Sequence, residues 1–413
     1  MGARVRFPRG FLWGAATAGH QVEGGNVNSD CWAVEHVEPR IFRDPSGDAV
    51  DFYHRYPEDI VTMADLGMTA FRFSLEWSRI EPEPGFFSQA ELGHYHRLAQ
   101  RCHEAGLATV VTLNHWTTPR WFAAEGGWEN PASIDRFARF AEVTSRNLGE
   151  EMDWVITLNE PNVAAVVALG GAVARPSGNR AAALAEATAR YPGGAIGFRP
   201  MMMWSGDQLA RYRAAHEKAR AAIKSVLDRP VGWSLACEDY QAVPGGEAMR
   251  DSIRQGALTD WLEVSQQDDF VGVQNYTSRL IDENGLLPVP AGIPVNDLGW
   301  GLYPGSLTNA ASYAAEVSGR PVLVTEHGLA SDDDALRLSH TRASLVSLGE
   351  AIGTGLDVRG YLHWTLLDEF EWWAGYSVTF GLIEVDRSDF RRTPRESAHW
   401  LGRVARANDP DID

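Results

Sequence analysis

The 413-residue chain contains little cysteine, and its three cysteines lie far apart, at Cys31, Cys102 and Cys237. An odd number without local pairs argues against a disulfide framework and against a zinc site. Such cysteine usage is typical of the reducing cytoplasm, and we predict a cytoplasmic protein.

The sequence also lacks any run of lysine and arginine. Acidic residues outnumber basic ones by 55 to 37, which gives a formal net charge of −18. This balance argues against nucleic acid and anionic membranes as partners. The apolar segment 11–16 near the N-terminus is too short to span a membrane. We therefore predict neither a nucleic-acid partner nor a membrane partner.

Motifs for cofactors are missing as well. No Gly-x-Gly-x-x-Gly or phosphate-binding loop follows a predicted strand, and no His-Glu-x-x-His or acidic cluster has the spacing of metal ligands. The sequence therefore predicts no nucleotide cofactor and no metal.

Two apolar runs that end at a glutamate stand out among the features that are present. Residues 156–159 lead to Glu160 and Pro161, and residues 321–325 lead to Glu326. Proline disfavours the helical conformation of the preceding residue, so we expect Glu160 to be extended and to lie where a strand gives way to a loop. Two acids at two strand ends predict paired-carboxylate chemistry. Because they are far apart in sequence, only a closed or strongly curved sheet would bring them together.

Short apolar runs alternate with amphipathic segments along the whole chain. Eight strands are predicted, at 11–17, 69–75, 108–114, 154–159, 231–236, 270–274, 321–325 and 359–365. Eight helices are predicted, at 54–67, 88–105, 132–149, 207–227, 251–264, 306–318, 335–354 and 394–406. This repeat predicts an α/β protein with a single (β/α)8 TIM barrel, and an open doubly wound sheet is the alternative.

The length of the chain would allow two or three average domains. No low-complexity linker interrupts the series, so we predict one domain over 1–413. The long stretch 161–206 contains an alanine-rich piece, 180–190, that is either an extra helix or a mobile lid.

Polar and aromatic side chains follow the predicted strands. In such a barrel the active site forms at the C-terminal ends of the strands, so these residues are expected to converge. Any one of them alone would more simply be a satisfied buried group. Two carboxylates, amides and tryptophans together are what cleavage of a glycosidic bond requires, because sugar hydroxyls need hydrogen-bond partners and the C–H face of a sugar stacks on indole. The residues concerned are Gln21, Arg72, His115, Trp116, Asn159, Glu160, Tyr276, Glu326, Trp364, Glu371 and Trp372.

Several separated motifs resemble glycoside hydrolase family 1, the β-glucosidase family. They include Thr-Leu-Asn-Glu-Pro at 157–161 and Thr-Glu-His-Gly at 325–328, and the likeness extends from residue 7 to about residue 400. Other matching segments are 11–18, 21–24, 51–56, 71–80, 115–116 and 364–372. Agreement at so many places makes the resemblance specific.

The resemblance implies a retaining mechanism in which Glu160 is the acid/base and Glu326 the nucleophile. It implies that Arg72 and Tyr276 contact the nucleophile and that Asn159 holds the sugar 2-hydroxyl. The other residues would bind the substrate, with Trp364 as a stacking floor, Trp300 beside the leaving group and Phe380 near the sugar C6; this set comprises Gln21, His115, Trp116, Trp300, Trp364, Glu371, Trp372 and Phe380.

This mechanism needs two carboxyl groups with different pKa values. A cation and a phenol beside Glu326 are expected to lower its pKa, and Glu160 needs a raised pKa to carry a proton. We therefore expect opposite environments for the two side chains.

The chain departs from the family pattern at four positions. Thr117 and Glu369 replace a usual aspartate and asparagine, and His327 and Gln274 each stand where asparagine is commonest. The chain is also shorter than typical members, which indicates trimmed loops. These departures bear on the choice of substrate.

The predicted activity is that of a retaining exo-β-glycosidase acting on a small-molecule β-glycoside. Glu371 would repel a phosphate group, so we expect an unphosphorylated sugar, with glucose as the default and fucose or galactose as alternatives. A transglycosylase of the same family and a catalytically inactive sugar-binding barrel remain the alternatives. A lyase or isomerase would need a metal, a phosphate site or a Schiff-base lysine at a strand end. The sequence indicates no oligomeric state.

Overall fold

Eight parallel strands form the centre of the protein. The computed structural model describes residues 6–168, 180–200 and 207–410. We number the central strands β1 to β8: Leu12–Ala16, Ala70–Ser74, Ala108–Asn114, Trp154–Asn159, Val231–Ala236, Val271–Gln274, Val322–His327 and Val358–Trp364.

These strands close into a barrel. Each strand pairs with its neighbour in the sequence, and β1 pairs with both β2 and β8. The closing pair runs in register from Leu12 opposite Gly360 to Ala16 opposite Trp364. The predicted (β/α)8 barrel is therefore confirmed, and the open sheet is excluded.

The outer layer consists of helices that follow the strands. The helix Ser133–Leu148 shows why they form: Phe137, Phe140, Ala141 and Leu148 recur at helical spacing and are buried against the barrel. The principal helices are Phe52–Leu66, Gln89–Glu104, Ser133–Leu148, Gln208–Lys224, Glu247–Arg254, Asp260–Val264, Ser306–Ser318, Asp334–Gly353 and Glu396–Ala407. No helix among the described residues is both long and apolar enough to cross a membrane.

One predicted helix, 251–264, is interrupted. The helix Glu247–Arg254 passes through a π-helical turn, Gln255–Thr259, before Asp260–Val264 continues it. Asn162 Nδ2 donates a hydrogen bond to Ala257 O at 3.0 Å, and this contact engages a carbonyl of that turn from outside the helix. The wider turn therefore depends on a residue from the loop after β4.

Strand β7 runs further than predicted and contains Glu326 instead of stopping before it. Glu326 pairs with Gln274 across the β6–β7 ladder, and Asn275 N donates to Glu326 O at 3.2 Å. The nucleophile candidate is thus fixed by the sheet itself.

Close packing of the strands requires glycine at one point of β1. A Cβ atom on Gly14 would lie 1.9 Å from Ala70 O of β2. No larger residue fits there without separating the two strands.

Smaller elements surround the C-terminal mouth of the barrel and were not predicted. Strands Asp239–Ala242, Ser278–Asp282 and Gly285–Leu286 form one small sheet, and Ile383–Asp386 pairs with Arg391–Pro394. In the long stretch after β4, the structure has helices Val163–Ala168 and Arg180–Arg190. The alanine-rich piece is therefore a helix, whereas 169–179 and 201–206 of the predicted lid lie outside the described residues.

Candidate active site

The two predicted catalytic glutamates lie at the mouth of the barrel on strands that β5 and β6 separate. Glu160 follows the last residue of β4, and Glu326 lies near the end of β7. Both side chains line the same cavity, and the negative charge of Glu326 adds to the rise in the pKa of Glu160. The closed barrel thus brings the pair together as expected.

Glu160 is not extended, contrary to the prediction from Pro161. Its φ angle is 43°, in the left-handed region. Glu160 N donates to Ser234 O at 2.8 Å, and Val163 N donates to Glu160 O at 3.0 Å, so the chain turns at once from β4 into the helix Val163–Ala168. Proline disfavours the right-handed helical region for Glu160, and these two hydrogen bonds are made from the left-handed one.

Three donors hold the carboxylate of Glu326. Arg72 Nη1 and Gln274 Nε2 donate to its Oε1 at 2.6 and 2.8 Å, and the Tyr276 hydroxyl donates to its Oε2 at 2.7 Å. Arg72 is fully buried. The cation and the two further donors stabilise the ionised form of this buried acid and hold its carboxylate in one orientation.

The pKa values of the two acids differ as the chemistry requires, although one direction was predicted wrongly. Burial raises the pKa of Glu326, and Arg72 and Tyr276 oppose this effect without reversing it. Burial also raises the pKa of Glu160, well above its usual value, and the charge of Glu326 adds to the rise. Desolvation therefore outweighs the cation at Glu326, but Glu160 is still the better proton carrier of the two.

Asn159 connects this pair to His115. Its Oδ1 accepts hydrogen bonds from Arg72 Nη2 and from Gln274 Nε2, the latter at 2.7 Å. Its Nδ2 lies 3.2 Å from His115 Nε2, which must accept, so the ring proton of His115 is on Nδ1. Burial, together with the charge of Arg72, lowers the pKa of His115, so the ring is neutral.

Several buried polar atoms have no protein partner among the described residues. In the candidate site they include the Nδ1 atom of His115, the indole Nε1 of Trp116 and the amide Oε1 atoms of Gln21 and Gln274. Buried donors and acceptors without partners are costly, so a group that supplies several hydroxyls would stabilise this site.

Gln21 forms a corner of the site with two further acids. Its Nε2 lies 2.9 Å from Phe370 O, 3.1 Å from Glu369 Oε1 and 3.3 Å from Glu371 Oε2, which gives three acceptors for two hydrogens. Burial, with a smaller effect of Glu326, raises the pKa of Glu371 to about 8. Both acids therefore favour their protonated forms near neutral pH.

The geometry indicates where Glu369 keeps its proton. The Thr365 hydroxyl donates to Ala16 O at 2.8 Å, and its oxygen lies 3.3 Å from Glu369 Oε2. Because that hydroxyl has only one hydrogen, a proton on Glu369 Oε2 completes the contact. Burial raises the pKa of Glu369 well above its usual value, and Glu371 raises it further.

Aromatic rings enclose the polar groups. His115 stacks with Trp364 and with Trp372 at ring distances of 5.6 and 6.2 Å, and Tyr276 lies 5.7 Å from Trp300 and 6.0 Å from Phe380. These rings and the two glutamates border a cavity with about 850 Å³ of empty space, including the part that opens to solvent. A cavity of this size accommodates a small organic ligand.

The structure brings all the predicted site residues together. Ten of them line the cavity: His115, Trp116, Glu160, Tyr276, Trp300, Glu326, Trp364, Glu371, Trp372 and Phe380. The other three, Gln21, Arg72 and Asn159, are fully buried and bond to residues of the wall.

Three residues of the wall adopt left-handed backbone conformations that non-glycine residues rarely adopt. The φ angles are 70° at Trp116, 43° at Glu160 and 41° at Trp372. Such strain is concentrated where side chains must be held in positions that regular structure does not provide.

Sequence reasoning missed two features of the site. Gln274 was predicted at a strand end and as a departure from the family pattern but was given no role in the site, yet it bridges Glu326 and Asn159. Its position at the end of β6 was the available signal. The second omission is a part of the cavity wall: Val163, Val166 and Cys237 line the cavity, although no sequence motif marks them.

The departures at Thr117 and His327 do not border the cavity. Thr117 Oγ1 donates to Glu76 Oε2 at 2.9 Å, and His327 Nδ1 lies 3.0 Å from the Tyr361 hydroxyl. Both side chains therefore belong to buried networks behind the site.

One group within the described residues has the donor atoms for a metal ion. It comprises His20, Cys31 and Glu35, whose donor atoms lie within 4.8 Å of one another. His20 Nε2 is 2.8 Å from Glu35 Oε1, and Ser46 donates to the other oxygen of Glu35 through both its N and its Oγ. These hydrogen bonds account for the cluster as it stands.

Comparisons with known proteins agree with this geometry. The family described as Glycosyl hydrolase family 1 matches residues 3–226 and 248–410. Beta-glucosidase A of Thermotoga maritima is 31% identical over 465 residues, with 98% of each chain covered. A bifunctional beta-D-glucosidase/beta-D-fucosidase of Bifidobacterium breve is 30% identical over 475 residues, with 96% of this chain and 97% of the relative covered.

Solved structures give the same result. The crystal structure of beta-glycosidase BGL167 has a TM-score of 0.92 at 45% identity and covers 98% of this chain and 99% of its own. The Thermotoga maritima beta-glucosidase in complex with glucoimidazole has a TM-score of 0.84 at 27% identity, with coverage of 98% and 99%. The resemblance found in the sequence is thus confirmed: the chain belongs to glycosyl hydrolase family 1 and is a glycosidase.

Proposed function

We propose that the enzyme is a retaining exo-β-glycosidase that hydrolyses terminal β-D-glucosyl residues, with β-D-fucosyl and β-D-galactosyl residues as further substrates. The names of relatives that are β-glucosidases, one of them also a β-D-fucosidase, support this choice of sugar. The observation that carries the proposal is the contrast between Glu326, held by three donors, and Glu160, whose pKa is raised well above its usual value.

In the first step the ionised Glu326 attacks the anomeric carbon while Glu160 gives its proton to the departing oxygen. The bond from the anomeric carbon to the leaving group breaks, and a covalent glycosyl-enzyme forms on Glu326. Because the ester carries no charge, the pKa of Glu160 falls and the side chain becomes a base. It then takes a proton from water, which attacks the same carbon and releases the sugar.

The remaining residues of the site bind and orient the sugar in this proposal. The unpartnered atoms of Gln21, His115 and Trp116 supply hydrogen bonds to hydroxyls, and Trp364 supplies an apolar surface for the C–H face. The second hydrogen on Asn159 Nδ2 remains for the 2-hydroxyl, a contact that tightens in the transition state.

The test is turnover of aryl β-glycosides carrying glucose, fucose, galactose, xylose or 6-phosphoglucose. The variant Glu326→Gln should abolish turnover of all of them, whereas Glu160→Gln should spare substrates with good leaving groups more than poor ones. Glu384→Gln, which changes an exposed glutamate on the strand Ile383–Asp386, is the matched control and should behave as the wild type. Wild-type activity of either active-site variant on alkyl glycosides would refute the assigned roles.

A further inference from the structure

The cavity has two halves of different chemical character. The polar half consists of the unpartnered polar atoms and the acids described above. The apolar half is the part of the wall that small apolar side chains, a thiol and one indole ring contribute: Val163, Val166, Ala236, Cys237, Leu298 and Trp300.

The apolar half is a consequence of the turn at Glu160. Val163 and Val166 are one helical turn apart on the helix that begins directly after it, so both side chains face the same way. Val166 is buried and packs in one cluster with Ala236, the last residue of β5. Both halves are therefore positioned by the same strand ends.

The two polar residues in this half are already engaged. Thr277 Oγ1 donates to Gly301 O at 2.8 Å, which uses its only hydrogen. Glu238 Oε1 accepts from Arg279 Nε at 3.1 Å, so its charge is balanced by a cation of the small sheet. Within the described part of the chain, this half thus presents mainly carbon atoms to a ligand.

We infer, on the basis of the proposed function, that the group leaving past Glu160 is an apolar alcohol, with an alkyl or aryl body, and not a second sugar. A sugar in this half would place its hydroxyls against valine, alanine and leucine, and each hydroxyl buried without a partner lowers affinity. An apolar body gains from leaving water and from stacking on Trp300. The alcohol takes its proton from Glu160 as the glycosidic bond breaks, so the chemistry is the same for both classes.

The first test uses the wild-type enzyme and β-glucosides of methanol, propanol and hexanol, together with cellobiose. We expect kcat/KM to rise by about two- to fourfold for each added methylene, the value of burying one such group. Hexyl glucoside should exceed cellobiose by at least about tenfold. The sugar alcohol is the better leaving group of the two, so chemical reactivity alone predicts the opposite order.

Two results would overturn the inference: a flat series from methyl to hexyl, or cellobiose turned over as well as hexyl glucoside. Both leave the proposed function intact. If aryl and alkyl glucosides all failed to react, the proposed function would fail first, so the two failures are distinguishable.

The second test places a polar group in the apolar half. In Val166→Asn, the ratio of kcat/KM for hexyl over methyl glucoside should fall at least about fivefold, because the amide replaces a carbon surface. The ratio does not depend on the fraction of active enzyme. Val61→Asn makes the same change on an exposed helix position and should leave the ratio unchanged, as should the conservative Val166→Ile. An unchanged ratio in Val166→Asn would contradict the assignment, and if that variant does not fold, the wild-type series decides.

Discussion

Replacing Tyr276 with phenylalanine removes one hydroxyl from the site and one hydrogen bond from Glu326. The ring itself stays, together with its contacts to Trp300 and Phe380 at 5.7 and 6.0 Å. The lost bond joins the Tyr276 hydroxyl to Glu326 Oε2 at 2.7 Å in a buried setting. The substitution therefore removes little besides the one hydrogen bond that stabilises the negative charge of Glu326.

The size of the effect follows from the charge on the acceptor. A hydrogen bond to an ionised group contributes about 1.5–3 kcal/mol, and one pKa unit corresponds to about 1.4 kcal/mol, so the pKa of Glu326 should rise by about one to two units. The direction is upward because the hydroxyl stabilises the ionised form and opposes the effect of burial. Arg72 and Gln274 remain bound to the other oxygen and keep the carboxylate in place.

The assay is the pH dependence of kcat/KM with an aryl β-glucoside. Glu326 must be ionised to attack, so activity is lost as the pH falls through its pKa. In Tyr276→Phe this acid limb should move to higher pH by the same one to two units. At a fixed pH below the limb, kcat/KM should fall by roughly 10- to 100-fold. The plateau above the limb should change much less, because there the nucleophile is ionised in both enzymes.

The control is Tyr313→Phe, which removes a hydroxyl 2.8 Å from Thr259 Oγ1, outside the active-site cavity, and should leave the limb unchanged. A lowered plateau with an unmoved acid limb would refute the reasoning. In that case Tyr276 would act on the substrate and not on the charge of Glu326.

Two further predictions concern stability. Because burial and Glu371 raise the pKa of Glu369 well above 4.5, the folded protein keeps a proton that the unfolded chain loses, and stability falls as the pH rises above that value. Glu369→Gln removes this dependence. The free energy of unfolding of this variant, minus that of the wild type, should therefore increase from pH 5 to 8 by up to about 1.4 kcal/mol per pH unit in denaturant titrations. A difference that stays constant with pH would mean that the folded protein carries Glu369 ionised. Gly14→Ala should lower the free energy of unfolding by about 3 kcal/mol, since the new Cβ would lie 1.9 Å from Ala70 O, whereas Gly256→Ala meets nothing within 4 Å and should change it by less than about 0.5 kcal/mol. Equal urea midpoints for these two glycine variants would contradict the β1–β2 packing.

Much of the barrel was predictable because its strands are buried on both faces. Such strands are continuous apolar runs that end at a polar residue, and β3, β4 and β5 begin and end at the predicted residues. The π-helical turn Gln255–Thr259 was not predictable, because its widening involves Asn162, 95 residues away in the sequence. Local sequence patterns predict local elements of secondary structure, but they do not reveal a distortion that involves a distant side chain.

In the candidate site, too, local sequence patterns predicted some features and failed for those that depend on distant contacts. The strand-end rule located Glu160 and Glu326, since it depends only on where apolar runs stop. The presence of Pro161 led to the wrong backbone conformation for Glu160, and the expected cation and phenol led to the wrong direction for the pKa of Glu326. Both errors concern quantities set by three-dimensional surroundings: hydrogen bonds from the next strand in one case and the depth of burial in the other.

The left-handed residues of the cavity wall lower the stability of the protein, but they carry side chains that its activity needs. Each such residue costs about 1–3 kcal/mol, and the three at Trp116, Glu160 and Trp372 together amount to a sizeable part of the 5–15 kcal/mol by which a typical fold is stable. Glycine adopts this conformation at little cost, but it supplies no acid and no indole. Laboratory evolution for heat resistance alone would therefore favour replacing the side chains that perform the chemistry. The strained positions persist only under selection for turnover, and a directed-evolution screen for hardier variants should measure turnover in every round.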